Sequence, residues 1–427
     1  MEIYVVKYGD TIWSIAEKYG ISAQRIITDN GLLTPESIVP GQALLILFPQ
    51  KSYTVQSGDT LSSIARTNST TVLELLRNNP YLINEPYLSA GQSIVIRYET
   101  EKLREIEFSG FVYENVNMNI LRYALPYVTY LNIFGYGFNE DATIITVNDD
   151  EIIRNAHEFG TAVLLSLSMI DVNGSFTSNK IDPLMTDTEF QNKVISGMIA
   201  QITAKSAQGM DIDIEYVPPE YRVEFAAFAE NAARQLNAAG YILHIDLAPK
   251  TSAEQQGTLY EAHDYRLLGA AADIVFLMTY EWGYKFGPPM SIAPIKNVKA
   301  VLDYALLEMP VYKIFLGIPN YAYDWQLPFI RGETSAETFG NLAAAERASK
   351  VNATIEFDEN SQSPFYTYTA DGTDHIVWFE DVRSMQAKYE LINESGIAGG
   401  GYWNLMRPFP QGFLLLNSMF DIKKVYP

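Results

Sequence analysis

The chain contains no cysteine and only 4 histidines among 427 residues. Without thiols it can form neither disulfides nor thiolate metal sites, so packing alone must hold the fold together. The histidines are far apart in the sequence and lack the spacing of metal ligands, so we predict ordinary core or surface roles for them. They are His157, His244, His263 and His375. We therefore expect no metal and no cofactor.

Long apolar runs and a basic surface are also missing. No segment reaches the ~20 apolar residues that a membrane helix needs. Residues 1–6 have neither the basic region nor the apolar core of a signal peptide, so we expect no export through a cleaved signal. The net charge is −21, and an acidic surface repels both phosphate backbones and anionic lipids. We predict no nucleic-acid and no membrane partner, and the sequence does not predict an oligomeric state.

Two copies of one unit open the chain. YVVKYGDT at 4–11 recurs 49 residues later as YTVQSGDT at 53–60, and Asn30 recurs as Asn79. The closing turns also match, as PGQ at 40–42 and AGQ at 90–92. Each copy predicts a strand, two capped helices and a closing strand. This βααβ unit resembles the LysM module, which implies binding of glycans that contain N-acetylglucosamine. We predict LysM domains at 2–47 and 52–97; a repeat that serves protein contacts alone is the alternative.

After a polar joint at 98–102, strand-like runs alternate with helical stretches. Eight strands are predicted, at 108–113, 127–134, 163–167, 210–215, 243–247, 274–279, 314–318 and 400–403. This alternation predicts an α/β fold, a (β/α)8 TIM barrel over residues 103–427. The ~80 residues between the last two strands are too many for one barrel connection. Short strands at 354–357, 364–369 and 376–379 and a helix at 382–392 predict an α+β insertion within 320–395.

Three carboxylates occupy alternate positions at the end of the fourth predicted strand. Side chains of an extended chain alternate between its two faces, so Asp211, Asp213 and Glu215 share one face at ~7 Å spacing. Like charges at this spacing raise one another's pKa, and a carboxyl held protonated beside an ionised neighbour can act as a general acid. The alternative is an amphipathic strand with a solvated acidic face.

The segment QGMDIDIE at 208–215 resembles the Asp-Gly-x-Asp-x-Asp-x-Glu signature of glycoside hydrolase family 18, the chitinase-like barrels. Gln208 departs from the signature at a position that supports the strand and does not touch substrate. The resemblance runs from about residue 101 to the end of the chain, and its details are closest to the spore-peptidoglycan hydrolases of this family. In such enzymes the insertion forms one wall of the substrate cleft.

The resemblance implies a substrate-assisted reaction in which the N-acetyl oxygen of the substrate attacks the anomeric carbon. Glu215 would protonate the leaving oxygen and then activate water. Asp213 would orient the acetamido group, and Asp211 would support Asp213 by sharing a proton or a hydrogen bond with it.

Further site residues follow from the same resemblance. MTYEW at 278–282 matches the sixth-strand segment of the family, where Tyr280 would donate its hydroxyl to the acetamido oxygen. Glu281 replaces the commoner Asp. The Trp403 indole would form the floor beneath the cleaved sugar. The segment 319–325 is similar to a substrate-lining loop and makes Tyr321 and Trp325 candidate substrate contacts. In the third strand, SLS at 166–168 replaces the Ser-x-Gly-Gly of many chitinases, which weakens the chitinase interpretation more than the hydrolase interpretation.

Together these residues predict a peptidoglycan hydrolase that cleaves β-1,4 bonds after N-acetylglucosamine in spore cortex, with tethered LysM modules as anchors. The implied location is the boundary between spore coat and cortex, reached from the mother-cell cytoplasm. Two alternatives are a chitinase or chitooligosaccharide hydrolase and a non-catalytic glycan-binding protein of the spore coat. Endo or exo action and glycan length are not predicted.

Overall fold

The computed structural model describes residues 1–34, 38–85, 87–169 and 180–426. The predicted domain ranges also include residues 35–37, 86, 170–179 and 427, which lie outside the described residues. Along the chain, two small βααβ units precede a closed barrel.

Each small unit has one antiparallel strand pair that encloses two helices, as predicted. The first unit consists of strands Glu2–Val5 and Ala43–Ile46 and helices Ile12–Tyr19 and Ala23–Asp29. The second consists of strands Pro49–Thr54 and Ser93–Tyr98, helices Leu61–Thr67 and Val72–Asn78, and the 3-10 turn Pro80–Leu82.

The recurring asparagines explain why the two small units have the same shape. The buried Asn30 side chain donates from Nδ2 to the carbonyls of Ile26 and Leu45, and its Oδ1 accepts from the Leu45 N–H at 2.7 Å. Asn79 makes the same bonds to Leu75 and Val95. One amide thus joins a helix end to the closing strand, where unpaired backbone groups would otherwise be buried at a cost.

Eight parallel strands close into the predicted barrel. Each pairs with the next along the chain, and the first pairs with both the second and the eighth. They are Arg104–Tyr113, Tyr130–Phe138, Ala162–Ser168, Gly209–Asp213, Ile242–Leu247, Ile274–Leu277, Ile314–Pro319 and Gly399–Trp403. The fourth and sixth strands end two residues earlier than predicted. Glu215 and Tyr280 therefore lie just beyond strand ends, at the face where barrel enzymes carry their active sites.

Helices follow the barrel strands in the order that a (β/α)8 fold requires. They are Met118–Ala124, Asp150–Glu158, Ile181–Thr186, Thr188–Lys205, Arg222–Ala238, Tyr265–Ala271, Ile295–Glu308, Val382–Ser395 and Pro410–Met419, with 3-10 turns at Leu125–Tyr127, Pro219–Tyr221 and Val311–Lys313. Strand Ile144–Ile145 pairs antiparallel with the end of the second barrel strand. Strand Phe420–Ile422 pairs with the start of the first barrel strand. No helix in the described part of the chain is long and apolar enough to cross a membrane.

The insertion is a five-stranded antiparallel sheet with one helix, Asn341–Lys350. Its strands are Ala322–Leu327, Glu337–Phe339, Glu356–Asp358, Ser363–Ala370 and Thr373–Trp378. The sequence predicted the last three. It interpreted residues 319–325 as a loop, whereas Ala322–Leu327 is a strand paired on both sides. Its partner Thr373–Trp378 lies about 50 residues away, so local pattern could not reveal the pairing.

The small units are packed against the barrel, which corrects the expectation of tethered modules. Residues of both units belong to the same apolar core as the barrel strands; among them are Ala43, Leu45, Leu47, Ile83, Val95 and Tyr98. The buried Arg77 donates to the carbonyls of Pro126 and Ile422 at 2.9 and 2.8 Å. Short local segments cannot indicate such docking, because it depends on residues up to 345 positions apart.

Candidate active site

The fourth strand is drawn close to its neighbours. A Cβ on Gly209 would lie 2.3 Å from the Ile242 carbonyl oxygen, so only glycine fits there. Gln208, the departure from the family signature, accepts the Val163 N–H at 2.7 Å through its side chain and so supports the strand. These contacts fix the backbone from which Asp211 and Asp213 project.

Asp211 is completely buried and held by two neighbours. Its carboxylate accepts from Ser166 Oγ at 2.5 Å, and its Oδ1 lies 2.8 Å from His244 Nδ1. Both partners are on the adjacent strands in direct register with Asp211. Asp211 is thus fixed in place and has no freedom to contact substrate.

Asp213 lies two residues further along the strand than Asp211, closer to the cleft, and its carboxyl has fewer hydrogen-bond partners. It is buried, and its Oδ1 has no hydrogen-bond partner among the described residues. Burial, together with the negative charges of Glu215 and Asp211, raises the pKa of Asp213 well above its ordinary value. An unpaired, proton-retaining carboxyl beside the acid is suited to receive a polar group of a ligand.

Glu215 is partly buried and stands just past the strand end. Burial is the main cause that raises its pKa, and the charge of Glu281 adds to it. A raised pKa increases the protonated fraction near neutral pH, which is the condition for a general acid. His263, itself buried, lies with Nε2 3.3 Å from the Ile214 carbonyl oxygen and so braces the backbone beside Glu215.

The segment after the sixth strand brings Tyr280 and Glu281 to the same place. Burial raises the pKa of the Tyr280 hydroxyl well above its usual value, and Asp246, Asp213, Glu215 and Glu281 add to the shift in that order. Glu281 Oε1 accepts from the hydroxyls of Tyr321 and Tyr323, the latter at 2.7 Å. Tyr321 therefore holds Glu281 in position, while its own ring is buried.

Trp403 ends the eighth strand among aromatic rings. Its ring centroid lies 5.5 Å from that of Phe111, 5.6 Å from Phe134 and 6.0 Å from Tyr113. Burial and the charges of Asp213 and Glu215 raise the pKa of Tyr113 to about 12, which ties this aromatic group to the carboxylates. The indole keeps a partly exposed face, as an apolar floor requires.

Trp325 is placed elsewhere. Its side chain is completely buried, and its indole Nε1 donates to the Gly287 carbonyl at 3.0 Å. It packs against Tyr323 with a centroid distance of 5.3 Å, so it acts behind the tyrosines that hold Glu281. A sugar has no access to this ring, and we leave it out of the site proposed below.

Sequence reasoning missed two residues of the fifth strand, His244 and Asp246. Both are buried and face the carboxylates, and Asp246 Oδ1 lies 3.6 Å from His244 Nδ1. Burial and the charges of Asp211, Asp213 and Glu215 raise the pKa of Asp246 well above normal. The alternation His-Ile-Asp at 244–246 was the available signal, because it places both side chains on one face of a strand.

Asp211, His244 and Asp246 are also the described group whose ligand atoms lie near enough together to suggest a cation, within 4.8 Å of one another. Their shortest contact, 2.8 Å between His244 and Asp211, has the length of a hydrogen bond. We assign Asp211 and His244 to a buried hydrogen-bonded pair beside Asp246, and not to a metal site.

A parallel barrel with buried carboxyls at the end of its fourth strand, and a proton-retaining glutamate just beyond, defines a glycosidase of the chitinase-like class. The model of glycosyl hydrolases family 18 matches residues 108–407, and that of the LysM domain matches 4–46 and 53–97. The chain belongs to glycoside hydrolase family 18 and carries two LysM domains.

Its relatives are more specific. The chain is 36% identical to the cortical fragment-lytic enzyme of Bacillus anthracis and 37% identical to that of Bacillus subtilis, each over 99% of both chains. The crystal structure of the Bacillus megaterium spore cortex-lytic enzyme SleL superposes with a TM-score of 0.84 at 32% identity and covers 99% of both chains.

Proposed function

We propose that this glycosidase hydrolyses spore-cortex peptidoglycan, cutting the β-1,4 bond after N-acetylglucosamine by substrate-assisted catalysis. The observation that carries the proposal is Glu215, a partly buried glutamate with a raised pKa just beyond the fourth barrel strand. It lies two residues after Asp213, whose buried Oδ1 has no hydrogen-bond partner among the described residues. Full-length similarity to cortical fragment-lytic enzymes supports the choice of substrate.

In this reaction Glu215 donates its proton to the leaving oxygen while the acetamido oxygen of the substrate attacks the anomeric carbon. Asp213 accepts from the acetamido N–H, and Tyr280 donates to the acetamido oxygen. Asp211 is held by Ser166 and His244 and positions Asp213 from below. Trp403 forms the floor under the sugar, and Glu281 with Tyr321 forms the wall. Glu215 then removes a proton from a water molecule as its oxygen attacks the anomeric carbon, and the bond between that carbon and the acetamido oxygen breaks to complete hydrolysis.

The LysM pair anchors the enzyme to its insoluble substrate. Two weak sugar-binding modules on one chain raise the effective concentration of the barrel near the wall polymer. The proposed place of action is the boundary between spore coat and cortex.

Two other functions make different predictions. A chitinase would cleave chitin oligomers and leave peptidoglycan intact. A non-catalytic coat protein would bind glycan without turnover, although the acid, Asp213 and Tyr280 are all present. Turnover of cortex fragments that depends on Glu215 excludes the second alternative.

The identity of the new reducing end tests the proposal. A muramic δ-lactam has no N-acetyl group and cannot supply the attacking oxygen, so substrate assistance requires an N-acetylated sugar on the non-reducing side of the cut, and the proposal assigns N-acetylglucosamine to that place. Cortex fragments are digested, reduced with borohydride and hydrolysed in acid. We expect glucosaminitol; muramicitol would identify a muramidase and reject the assignment.

A further inference from the structure

Lys250 is a buried lysine whose ammonium group has no acidic partner. The residue is 1% exposed, and no carboxylate oxygen of the described residues lies within ion-pair distance of its Nζ. Asp264 is nearby but is engaged by Arg222 at 2.5 and 2.8 Å. Burial and the positive charge of Arg222 lower the pKa of Lys250, against the opposing charges of Asp264, Glu261 and Glu254. A buried ammonium without a partner is costly, so such lysines are rare unless they serve a ligand.

Other lysines that this fold encloses are satisfied. Lys388, equally buried, forms an ion pair with Glu380 at 2.8 Å. Lys424 donates to the carbonyls of Leu125 and Val128 and to the Thr161 hydroxyl. Among these three, Lys250 alone lies at the carboxyl ends of the barrel strands and alone donates no side-chain hydrogen bond to a described residue.

The backbone around Lys250 is fixed beside the catalytic acid. Lys250 lies three residues beyond the fifth strand, and its N–H donates to the Tyr265 hydroxyl at 3.0 Å. The preceding residue but one, Ala248, donates its N–H to His263 Nδ1 at 3.0 Å. The other ring nitrogen of His263 contacts the carbonyl of Ile214, the residue before Glu215. One histidine therefore joins the Lys250 segment to the acid-bearing loop.

Lys250 is also open to an incoming anion. Its Nζ is not among the sealed side-chain atoms that lack a partner, so it retains a narrow contact with solvent. Its neighbours carry both signs of charge: Arg222 repels the ammonium, while Asp264, Glu261 and Glu254 attract it without forming an ion pair with it among the described residues. An anionic group of the substrate can supply the missing partner there.

We propose that Lys250 binds a carboxylate carried by the leaving-group sugar, an inference that rests on the proposed function. When the bond after N-acetylglucosamine is cut, the leaving sugar is a muramic acid. Its carboxylate is either the free lactyl carboxylate or the terminal carboxylate of an amino acid attached to it. A muramic δ-lactam has neither. Lys250 thus selects fragments whose leaving-group muramic acid has an open, charged side chain.

The first test uses the unmodified enzyme. Matched fragments carry, at the leaving position, a lactyl carboxylate, an L-alanyl carboxylate, or the neutral methylamide of each. We expect kcat/KM to fall about 10- to 100-fold on amidation, mainly through KM, because one charge-assisted hydrogen bond is lost. Whichever of the two carboxylates shows the larger fall is the one that Lys250 contacts. Equal rates for acid and amide would overturn the proposal.

Substitutions of Lys250 test whether this residue causes the preference for the acid over the amide. In Lys250→Met the ratio of kcat/KM between acid and amide should approach 1, and in Lys250→Arg part of the preference should return. Lys299→Met, at an exposed lysine paired with Asp303, is the matched control and should keep the full ratio. A preference that survives in Lys250→Met would overturn the assignment even if the unmodified enzyme discriminates.

Failure of the proposed function has a different signature. If no muramyl fragment is cleaved, whether acid or amide, the proposed function falls and the Lys250 inference with it. If both are cleaved at equal rates, only the role of Lys250 is rejected. Should Lys250→Met fail to fold, Lys250→Gln replaces it: the ratio of kcat/KM between acid and amide should again approach 1, and a preference that survives would overturn the assignment.

Discussion

The joint between the LysM units and the barrel and the catalytic end of the barrel both bury polar groups, but they treat them in opposite ways. In the joint, Arg77 donates to two carbonyls and to Glu74. Gln411 donates to Asn30 and to the Ala43 carbonyl, and Asn417 donates to Asn78. These partners cancel the cost of removing the groups from water.

At the catalytic end, several groups remain unsatisfied. Asp213 Oδ1, Asp246 Oδ1 and His244 Nε2 are buried and have no partner among the described residues. Each unsatisfied group costs stability, and the cost is retained where a ligand will form the missing contact. The contrast is one of degree, because Asp29 Oδ1 in the joint also lacks a partner among the described residues. Satisfied groups such as Arg77 maintain the fold, whereas a cluster of unsatisfied carboxyls marks the site.

The largest expected effect is a loss of turnover from a substitution at the catalytic end that leaves the joint unchanged. Glu215→Gln keeps the shape of the side chain but removes its transferable proton, so turnover should fall by at least ~10²-fold while glycan binding and thermal stability persist. Initial rates on cortex fragments and a melting curve measure this. The matched control is Glu220→Gln, at an exposed glutamate of the same loop. Near-normal rates in Glu215→Gln would mean that the acid lies elsewhere.

The converse substitution, in the joint, should lower the stability of the protein and leave its catalytic rate unchanged. Arg77→Met removes a buried cation from three acceptors and leaves two carbonyls unpaired, which should lower the free energy of unfolding by about 3–5 kcal/mol. Below the unfolding transition, kcat on soluble fragments should be unchanged. Arg66→Met, at an exposed arginine of the same LysM unit, serves as control in denaturant titrations. Loss of kcat before unfolding would show that the two regions are coupled.

A third prediction concerns stability and pH at the catalytic end. The folded protein holds a proton on Asp246 more tightly than the unfolded chain does, so its stability is highest below the unfolded pKa of ~4 and decreases as the pH rises. Asp246→Asn removes this dependence and should make the protein more stable at pH 7 than the unmodified protein. Unfolding titrations at pH 4 and pH 7 measure the difference. A variant that is less stable at pH 7 would contradict the sign.

The smallest expected effect is a pH dependence of stability that arises from one carboxyl in the joint. Asp29 pairs with Arg25 at 3.0 Å, but its Oδ1 has no partner among the described residues. Burial raises its pKa from 3.8 to about 6, against the opposing effect of Arg25. Stability should therefore fall by about 1–3 kcal/mol between pH 4 and pH 6, and Asp29→Asn should flatten that slope. If stability changes with pH as steeply in Asp29→Asn as in the unmodified protein, other carboxyl groups cause the pH dependence.

Local pattern was sufficient for much of the fold. Short, nearly continuous apolar runs indicated all eight barrel strands, because a buried parallel strand needs apolar side chains on both faces. The 49-residue repeat indicated both βααβ units. The row Asp211, Asp213 and Glu215 indicated where the site lies, since alternate residues of a strand share a face. The family resemblance then suggested roles for these residues, and those roles stay predictions.

Other features depend on residues that are distant in sequence. His244 reaches Asp211 across 33 positions, and Arg77 reaches Ile422 across 345. Trp325 looked like a surface aromatic, yet its strand pairs with Thr373–Trp378 and its ring is buried.

The sequence alone therefore determined the elements, their order and the acidic strand, since these follow from the periodicity of neighbouring residues. Only the tertiary structure decided that the LysM units pack on the barrel, that Asp246 joins the carboxyls and that the Lys250 ammonium has no ion-pair partner in the described part of the chain. Burial and pairing are properties of groups that meet in space, and no local pattern records which groups will meet.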